Sequence, residues 1–171
     1  GEDYLFADAA ETQSIMNSIG NPTDGSEIGM IVSKKEGENW FILFEYADVG
    51  FVRDDDAKDL DADAILKSIR EGTEAANEER AKLGESPMKV VGWQESPHYD
   101  STTHNLVWSV LGESTQDGQV DQTANYNVRI LGRTGFVSAV MVTGPETVEK
   151  LRPQLQSILQ GFSYKSGNRY A

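Results

Sequence analysis

Residues 92–108 read GWQESPHYDSTTHNLVW, and this stretch joins two segments that we predict to be β-strands, 88–93 and 105–111. It contains both histidines of the chain and two of its three tryptophans. Pro97 opens its central part, which is dense in Asp, Ser, Thr and Asn, the residues typical of turns. We therefore expect any functional site to lie in or near this loop.

The chain on either side of the loop alternates between helical and strand patterns. Asp8, with Glu11 three residues later, predicts the start of a first helix that ends at Gly20. The aspartates of 54–63 precede a long helix that ends at Gly84, and Gly144 starts a last helix that ends near residue 161. Apolar alternation predicts strands at 28–32, 40–46, 125–130 and 136–142, a polar connector at 112–121 and an edge strand at 162–164.

This order of elements predicts the fold class. Two hairpins and isolated strands among three helices do not give the regular strand–helix alternation of a parallel sheet. The expected fold is α+β, with a mainly antiparallel sheet flanked by helices. The last helix followed by a short strand is similar to the Mog1/PsbP-like α/β/α sandwich, and this likeness implies an architecture without implying an activity.

Length and charge limit the classes of function. The chain has 171 residues, close to the usual size of one domain, so residues 1–171 are expected to form a single globular unit. Its net charge of −13 opposes binding to nucleic acids and to anionic lipid headgroups. It has no cysteine, which excludes disulfides and thiolate metal sites, and no apolar run long enough to span a bilayer.

Two parts of the sequence carry a sharper resemblance. The first includes Gly92, Trp93, 97–100, 103–104, Leu106 and Trp108, and the second is 125–133. Residues 77–80 and 169–171 add to both. Together they resemble an uncharacterised prokaryotic family of membrane-anchored proteins, classified as a domain of unknown function. The resemblance implies a domain that follows a signal peptide and precedes transmembrane segments, so that it lies on the periplasmic or extracellular side of the membrane. It implies no activity.

The loop also contains side chains capable of chemistry. His98, Asp100 and His104 include the nitrogen and oxygen donors that zinc prefers. Ser101, Thr102 and Thr103 lie in the same loop as candidate nucleophiles. Their spacing matches no strong metal motif, and no Gly-x-Ser-x-Gly elbow is present. We predict that both histidines hydrogen-bond the backbone and fix the loop, with no metal and no cofactor. The alternative is a metal-dependent or hydrolytic enzyme that uses the 98–104 loop.

A second candidate lies on the strand 125–130. Asn127 and Arg129 alternate with apolar residues, so we expect them on a sheet face that helices cover less completely than the face of Tyr126 and Val128. If Glu45 and Ser109 share that face, they form a polar groove for a small ligand or a peptide terminus. The alternative is a surface ion pair between Arg129 and Glu45.

These observations favour a non-enzymatic domain that binds a ligand or a protein on the outer side of a membrane anchor. Its partner is expected to be an unknown protein or a small polar ligand and not a nucleic acid, and the membrane is reached only through an anchor outside this sequence. The candidate ligand-binding residues are Trp93, His98, Tyr99, Asp100, His104, Asn127, Arg129 and Arg133.

Overall fold

A computed structural model describes residues 2–55 and 57–170. In this part of the chain one sheet contains the strands β1 (Tyr4–Asp8), β2 (Glu27–Ser33), β3 (Phe41–Ala47), β4 (Met88–Asp100), β5 (Asn105–Gln116), β6 (Gln119–Leu131) and β7 (Phe136–Thr143). Their spatial order is β1-β2-β3-β7-β6-β5-β4, and every neighbouring pair is antiparallel. The predicted antiparallel α+β fold is confirmed.

Three α-helices of the described chain flank this sheet: α1 (Ala9–Ser18), α2 (Ala62–Lys82) and α3 (Val148–Gln160). α1 begins where the sequence predicted, because the Asp8 carboxylate accepts from the Glu11 backbone N–H while the Glu11 carboxylate accepts from that of Asp8, both at 3.0 Å. At the start of α2, Asp61 accepts from the backbone N–H of Ala64 at 2.9 Å. Capping by aspartate thus fixes both helix starts.

The helices lie on both faces of the sheet, which gives three layers. On one side, the α3 face, Leu151 and Leu155 pack against the side chains of Ile42, Tyr126 and Met141. On the opposite side, the α1–α2 face, α1 packs through its buried methionine against β2 and β3, and α2 crosses the other end of the sheet over β4. The arrangement is an α/β/α sandwich.

β5 and β6 are both longer than the sequence indicated. Residues 112–121 were predicted as a polar connector, which is wrong: β5 and β6 continue through it and meet at a tight turn. Gln116 pairs directly with Gln119, and the two turn residues Asp117 and Gly118 have φ values of 52° and 79°. This is the two-residue Asp-Gly hairpin turn, whose positive φ values suit the twist of antiparallel strands.

β4 is also longer than predicted. It continues through Pro97 to Asp100, so the predicted loop is reduced to a turn at 101–104. Three register shifts interrupt its pairing with β5, between Val90 and Gly92 and at two further places that lead to His98. Such bulges let an edge strand accommodate a proline. The predicted edge strand at 162–164 is not formed: instead the Tyr164 hydroxyl donates to the Ile130 carbonyl at 2.6 Å.

Burial of β6 confirms the predicted difference between the two faces. Tyr126 and Val128 are each 5% exposed beneath α3. Asn127 and Arg129 are only partly buried on the α1–α2 face. The gap between α1 and α2 leaves this face less completely covered.

Candidate functional site

The two histidines of the 92–108 stretch point to opposite sides of the sheet. His98 and Tyr99 are consecutive residues of β4, so their side chains face opposite ways. His98 pairs with Val107, on the α3 face, and Tyr99 pairs with Leu106, on the other. His104 lies with Tyr99, because its Nδ1 is 3.0 Å from the Tyr99 hydroxyl. A metal site that uses both histidines of the loop is therefore not formed in this geometry.

His104 belongs to an aromatic cluster at the β4–β5 turn. The Tyr99 hydroxyl donates to the Asp54 carboxylate at 2.6 Å, and this bond lowers the pKa of Asp54. Burial, together with the same carboxylate, raises the pKa of Tyr99. The His104 ring lies 4.6 Å from that of Tyr170, which also stacks on Phe51 at 4.9 Å.

This cluster joins the turn to the segment after β3 and to the C-terminal segment. We expected both histidines to hold the loop by bonding its backbone. His98 does so, since its Nδ1 lies 3.4 Å from the Ser96 carbonyl oxygen. For His104 the expectation is wrong, because its ring contacts the side chains of Tyr99, Asp54 and Tyr170. The residue itself has a positive φ of 55°, a backbone conformation that tight turns need. Tyr99 and His104 are therefore placed to position the turn.

His98 and Asp100 lie on the other side, in a cleft between β4 and α3. The cleft has a volume of about 620 Å³ and an apolar floor formed by side chains such as Val128 and Ile130. At its rim Arg152 donates to Glu95 at 2.7 Å. The Asp100 carboxylate accepts from the Thr102 backbone N–H at 2.9 Å, and this bond lowers the pKa of Asp100. Asp100 is therefore engaged in forming the turn.

The remaining predicted residues are scattered. Trp93 pairs with Val110 on the α1–α2 face, and its indole N–H is buried without a hydrogen-bond partner among the described residues. Arg133 is exposed in the β6–β7 turn, where its backbone N–H donates to the Asn168 carbonyl at 3.0 Å. Within 2–55 and 57–170, no group of three or more His, Cys, Asp or Glu side chains is placed to hold a metal ion.

Asn127 lies in a groove between α1 and α2, which we call the polar groove. It has a volume of about 530 Å³, and β3, β7 and β6 form its floor. Its polar lining consists of Asn21, Glu27, Glu45, Arg80, Glu85, Ser86, Ser114, Gln116, Thr123, Asn125 and Asn127. Leu43 and Val140 give the floor an apolar centre. A partly open groove with an apolar floor and polar walls is suited to binding a small ligand or a peptide.

Two carboxylates lie at one end of the polar groove. Glu27 and Glu45 are direct cross-strand partners in β2 and β3, so their side chains share one face. Glu27 is buried and accepts from the backbone N–H groups of Asp24 and Gly25 at 3.2 and 3.0 Å. Burial raises the pKa of Glu45, and the charges of Asp24 and Glu27 raise it further.

The predicted partners of Glu45 are only partly correct. Ser109 pairs with Tyr126, so it lies on the α3 face, where its hydroxyl donates to Gln94 at 2.9 Å. Arg129 does share the face of Glu45, but the two residues are separated by Ser138 of β7, about 10 Å between their backbones. The two side chains do not form an ion pair, so the predicted surface pair is wrong.

Arg129 is held by aromatic rings instead. Its guanidinium carbon lies 4.8 Å from the centre of the Trp108 ring and 4.6 Å from that of Phe136. Burial lowers the pKa of Arg129, while the negative charge of Glu45 opposes that change. The residue borders the polar groove in a smaller cavity under α2 and contributes a positive charge near its edge.

Sequence reasoning missed the residues that join α2 to the groove. The Asn77 amide donates to the Met88 carbonyl and accepts from the Met88 N–H, both at 2.8 Å. Arg80 then donates to Asn77 at 3.1 Å and to Asn21 at 3.4 Å, which links α2 to the end of α1. The family resemblance at 77–80 was the signal for this pair, because an Asn-x-x-Arg spacing puts both side chains on one helix face.

Fold and site together define the class of this protein: an α/β/α sandwich with an antiparallel sheet and a polar groove between two helices on one face. The chain belongs to the family described as "Protein of unknown function (DUF2167)", whose model matches residues 1–171. This confirms the predicted membership of a family without assigned function. None of the described helices is long and apolar enough to cross a membrane.

One solved structure supports the fold. The chain is similar to the solution structure of cyanobacterial PsbP (CyanoP) from Synechocystis sp. PCC 6803, with a TM-score of 0.53 and 8% identity over 95% of this chain and 82% of that one. A crystal structure of PA94, a protein of unknown function from Pseudomonas aeruginosa, matches with a TM-score of 0.35 and 10% identity over 95% and 83%. No curated protein matches the sequence. The PsbP likeness confirms the predicted architecture.

Proposed function

We propose that this chain is a non-enzymatic binding domain that receives a small polar ligand or a segment of a partner protein in the polar groove. We further propose that a membrane anchor holds it on the extracytoplasmic side. The observation that carries the binding role is the groove itself, about 530 Å³ of partly open space between α1 and α2. That volume is within the range of small-ligand sites.

The lining of the groove supports binding over catalysis. Most of its polar groups are neutral amides and hydroxyls, such as those of Asn125, Asn127 and Thr123, which bond a ligand without reacting with it. His98 and His104, the residues best suited to proton transfer, point to opposite sides of the sheet and away from the groove. Neither histidine therefore lies where it could act on a ligand in the groove.

The membrane location rests on the family resemblance described above. That resemblance implies a signal peptide before the domain and transmembrane segments after it. The acidic surface, with a net charge of −13, fits a domain that stays clear of anionic lipid headgroups.

A groove-filling substitution tests the binding role. Asn125 is exposed on β6 and lines the groove, so Asn125→Trp is expected to fill part of it without disturbing the core. Wild type and variant are screened by thermal shift against short peptides, amino acids and small sugars. We expect ligands that raise the melting temperature of the wild type but not that of Asn125→Trp.

The matched control is Gln122→Trp, an exposed residue of the same strand on the opposite face. It is expected to respond to ligands as the wild type does. Ligands that act equally on all three proteins would place binding outside the groove, and a screen without any groove-dependent ligand would refute the proposal.

The membrane location is tested on the full-length protein in its native cells. We expect the protein in the membrane fraction. Protease added to cells with an opened outer permeability barrier is expected to digest this domain. Protection of the domain until the inner membrane is lysed would refute the extracytoplasmic placement.

A further inference from the structure

We propose that the ligand of the polar groove carries a primary ammonium group, which binds at Glu45, and that the rest of the ligand is an extended peptide segment lying along the groove. This inference rests on the binding role proposed above and names the chemical class of ligand. The ammonium belongs to a lysine side chain or to a peptide amino terminus.

The first step is the state of Glu45. Its carboxylate lines the groove and is partly buried, yet it makes no hydrogen bond or ion pair with any residue in 2–55 or 57–170. A desolvated carboxylate without a partner lowers the stability of a fold. A partly buried carboxylate that has no partner and faces an open groove has the properties of a ligand contact.

The second step is the charge around it. Glu27 lies directly opposite and is fixed by two backbone N–H groups, while Asp24 adds a further negative charge. Arg129 is the cation on this face that acts on Glu45, and its guanidinium is engaged by the Trp108 and Phe136 rings. The local field at Glu45 therefore favours a cation.

The third step concerns the opposite end of the groove. Arg80 is bonded there to the amide oxygens of Asn77 and Asn21, and Glu85 lines the same end. Taken together, the lining contains three glutamates and one arginine. The groove as a whole thus attracts positively charged ligands. Among its glutamates, Glu45 is the one that is both partly buried and without a side-chain partner in the described chain, because Glu85 is exposed and Glu27 is bonded to backbone N–H groups.

The fourth step is the shape of the groove. Its floor follows β3 from Glu45 to Phe41, a distance of four residue steps or about 13 Å. Leu43 gives the floor an apolar centre, and the amides of Asn125 and Asn127 lie on one side. Those amides can each donate and accept, as the backbone of an extended peptide requires. The length and the chemistry fit a segment of about four residues.

The test uses four tetrapeptides titrated into ¹⁵N-labelled protein by NMR. One is acetylated and amidated with a lysine followed by three alanines, and a second is tetra-alanine amide with a free amino terminus. The third and fourth are acetylated peptides in which norleucine or glutamate replaces the lysine. The first two test the sources of the ammonium, and the last two test the need for its charge.

We expect the lysine peptide or the free-amino peptide to shift the backbone amide signals of Glu45 and Asn127. Glu45→Gln is expected to weaken that binding about tenfold, as the loss of one charge-assisted hydrogen bond predicts. Glu36→Gln, in an exposed turn, removes the same charge elsewhere and is expected to bind like the wild type. Comparison of the two cationic peptides then identifies the source of the ammonium.

Several outcomes would overturn the inference. These are equal binding of the norleucine or glutamate peptide, unchanged binding to Glu45→Gln, and absence of groove shifts with every peptide. If other ligands from the thermal-shift screen still depend on Asn125, the binding role stands and only the ligand class is wrong. If none does, both proposals fail.

Discussion

Replacing Glu45 with glutamine is expected to stabilise the protein at neutral pH. Glutamine keeps the size of the side chain and removes the charge that is partly buried beside Glu27. Most substitutions of partly buried residues destabilise a protein, so a gain in stability here is a distinctive result.

The size of the gain follows from two contributions. Like charges directly opposite on a sheet cost on the order of 0.2–1 kcal/mol, and a desolvated polar group without a partner costs roughly 1–3 kcal/mol when fully buried. Glu45 is only partly buried, and glutamine still needs hydrogen bonds, so we take the lower end of both ranges. The expected gain is about 1 kcal/mol, which for a chain of this length raises Tm by about 3 °C.

The gain depends on pH, because burial raises the pKa of Glu45 in the folded protein above its ordinary value of 4.5. The native state then binds this proton more tightly than the unfolded chain does. Ionised Glu45 therefore destabilises the fold at pH values above its raised pKa, and the protonated residue does not. The difference in stability between Glu45→Gln and the wild type is expected to grow as the pH rises from 4.5 to neutral and to disappear as the pH falls below 4.5.

Urea denaturation followed by circular dichroism, at neutral pH and at about pH 4, measures this difference. Glu36→Gln provides the control, since it changes the net charge equally from an exposed turn. A variant Glu45→Gln that is less stable than the wild type, or a gain that persists unchanged in acid, would refute the assignment of Glu45 as an unpaired carboxylate.

Three further predictions concern stability. Asn77→Ala leaves the N–H and carbonyl of Met88 without their partner and is expected to cost roughly 2 kcal/mol in urea denaturation; an unchanged midpoint would show that the Asn77 contacts are dispensable. Gly118→Ala forces a non-glycine residue to φ 79° and is expected to cost about 1 kcal/mol, whereas a neutral effect would mean that the turn relaxes. His104→Ala is expected to lower Tm equally with zinc and with EDTA, because the contacts that it removes are with the Tyr99 hydroxyl and the Tyr170 ring. A zinc-dependent rise in Tm that the wild type shows and the variant lacks would favour a metal site.

Local signals predicted the helices of this fold well. Helix starts depend on contacts within a few residues, as the Asp8–Glu11 capping box and the aspartate cap of α2 show. These starts can therefore be predicted from the local sequence. The Asp117–Gly118 turn was equally readable, since Asp-Gly is a strong hairpin signal, but the polar residues around it obscured the strands on either side.

The site was less predictable, because it depends on pairing between distant strands. Proline and polar residues suggested that β4 ends before His98, whereas bulges let the strand continue and send His98 and Tyr99 to opposite faces. β5 is buried on both sides, so its sequence did not reveal which face receives Ser109. The contact of Glu27 with Glu45 is set by the register of β2 on β3, which the sequence pattern does not specify.

The irregular pairing of β4 also bears on how this sheet avoids self-association. β1 and β4 are the two edges of the described sheet, and an open edge is a template on which another chain can add a strand. Three register shifts and Pro97 interrupt the row of N–H and C=O groups along β4. β1 is only five residues long and leads directly into α1. Neither edge offers a long regular template for a further strand. We therefore expect the protein to resist amyloid-like stacking at high concentration.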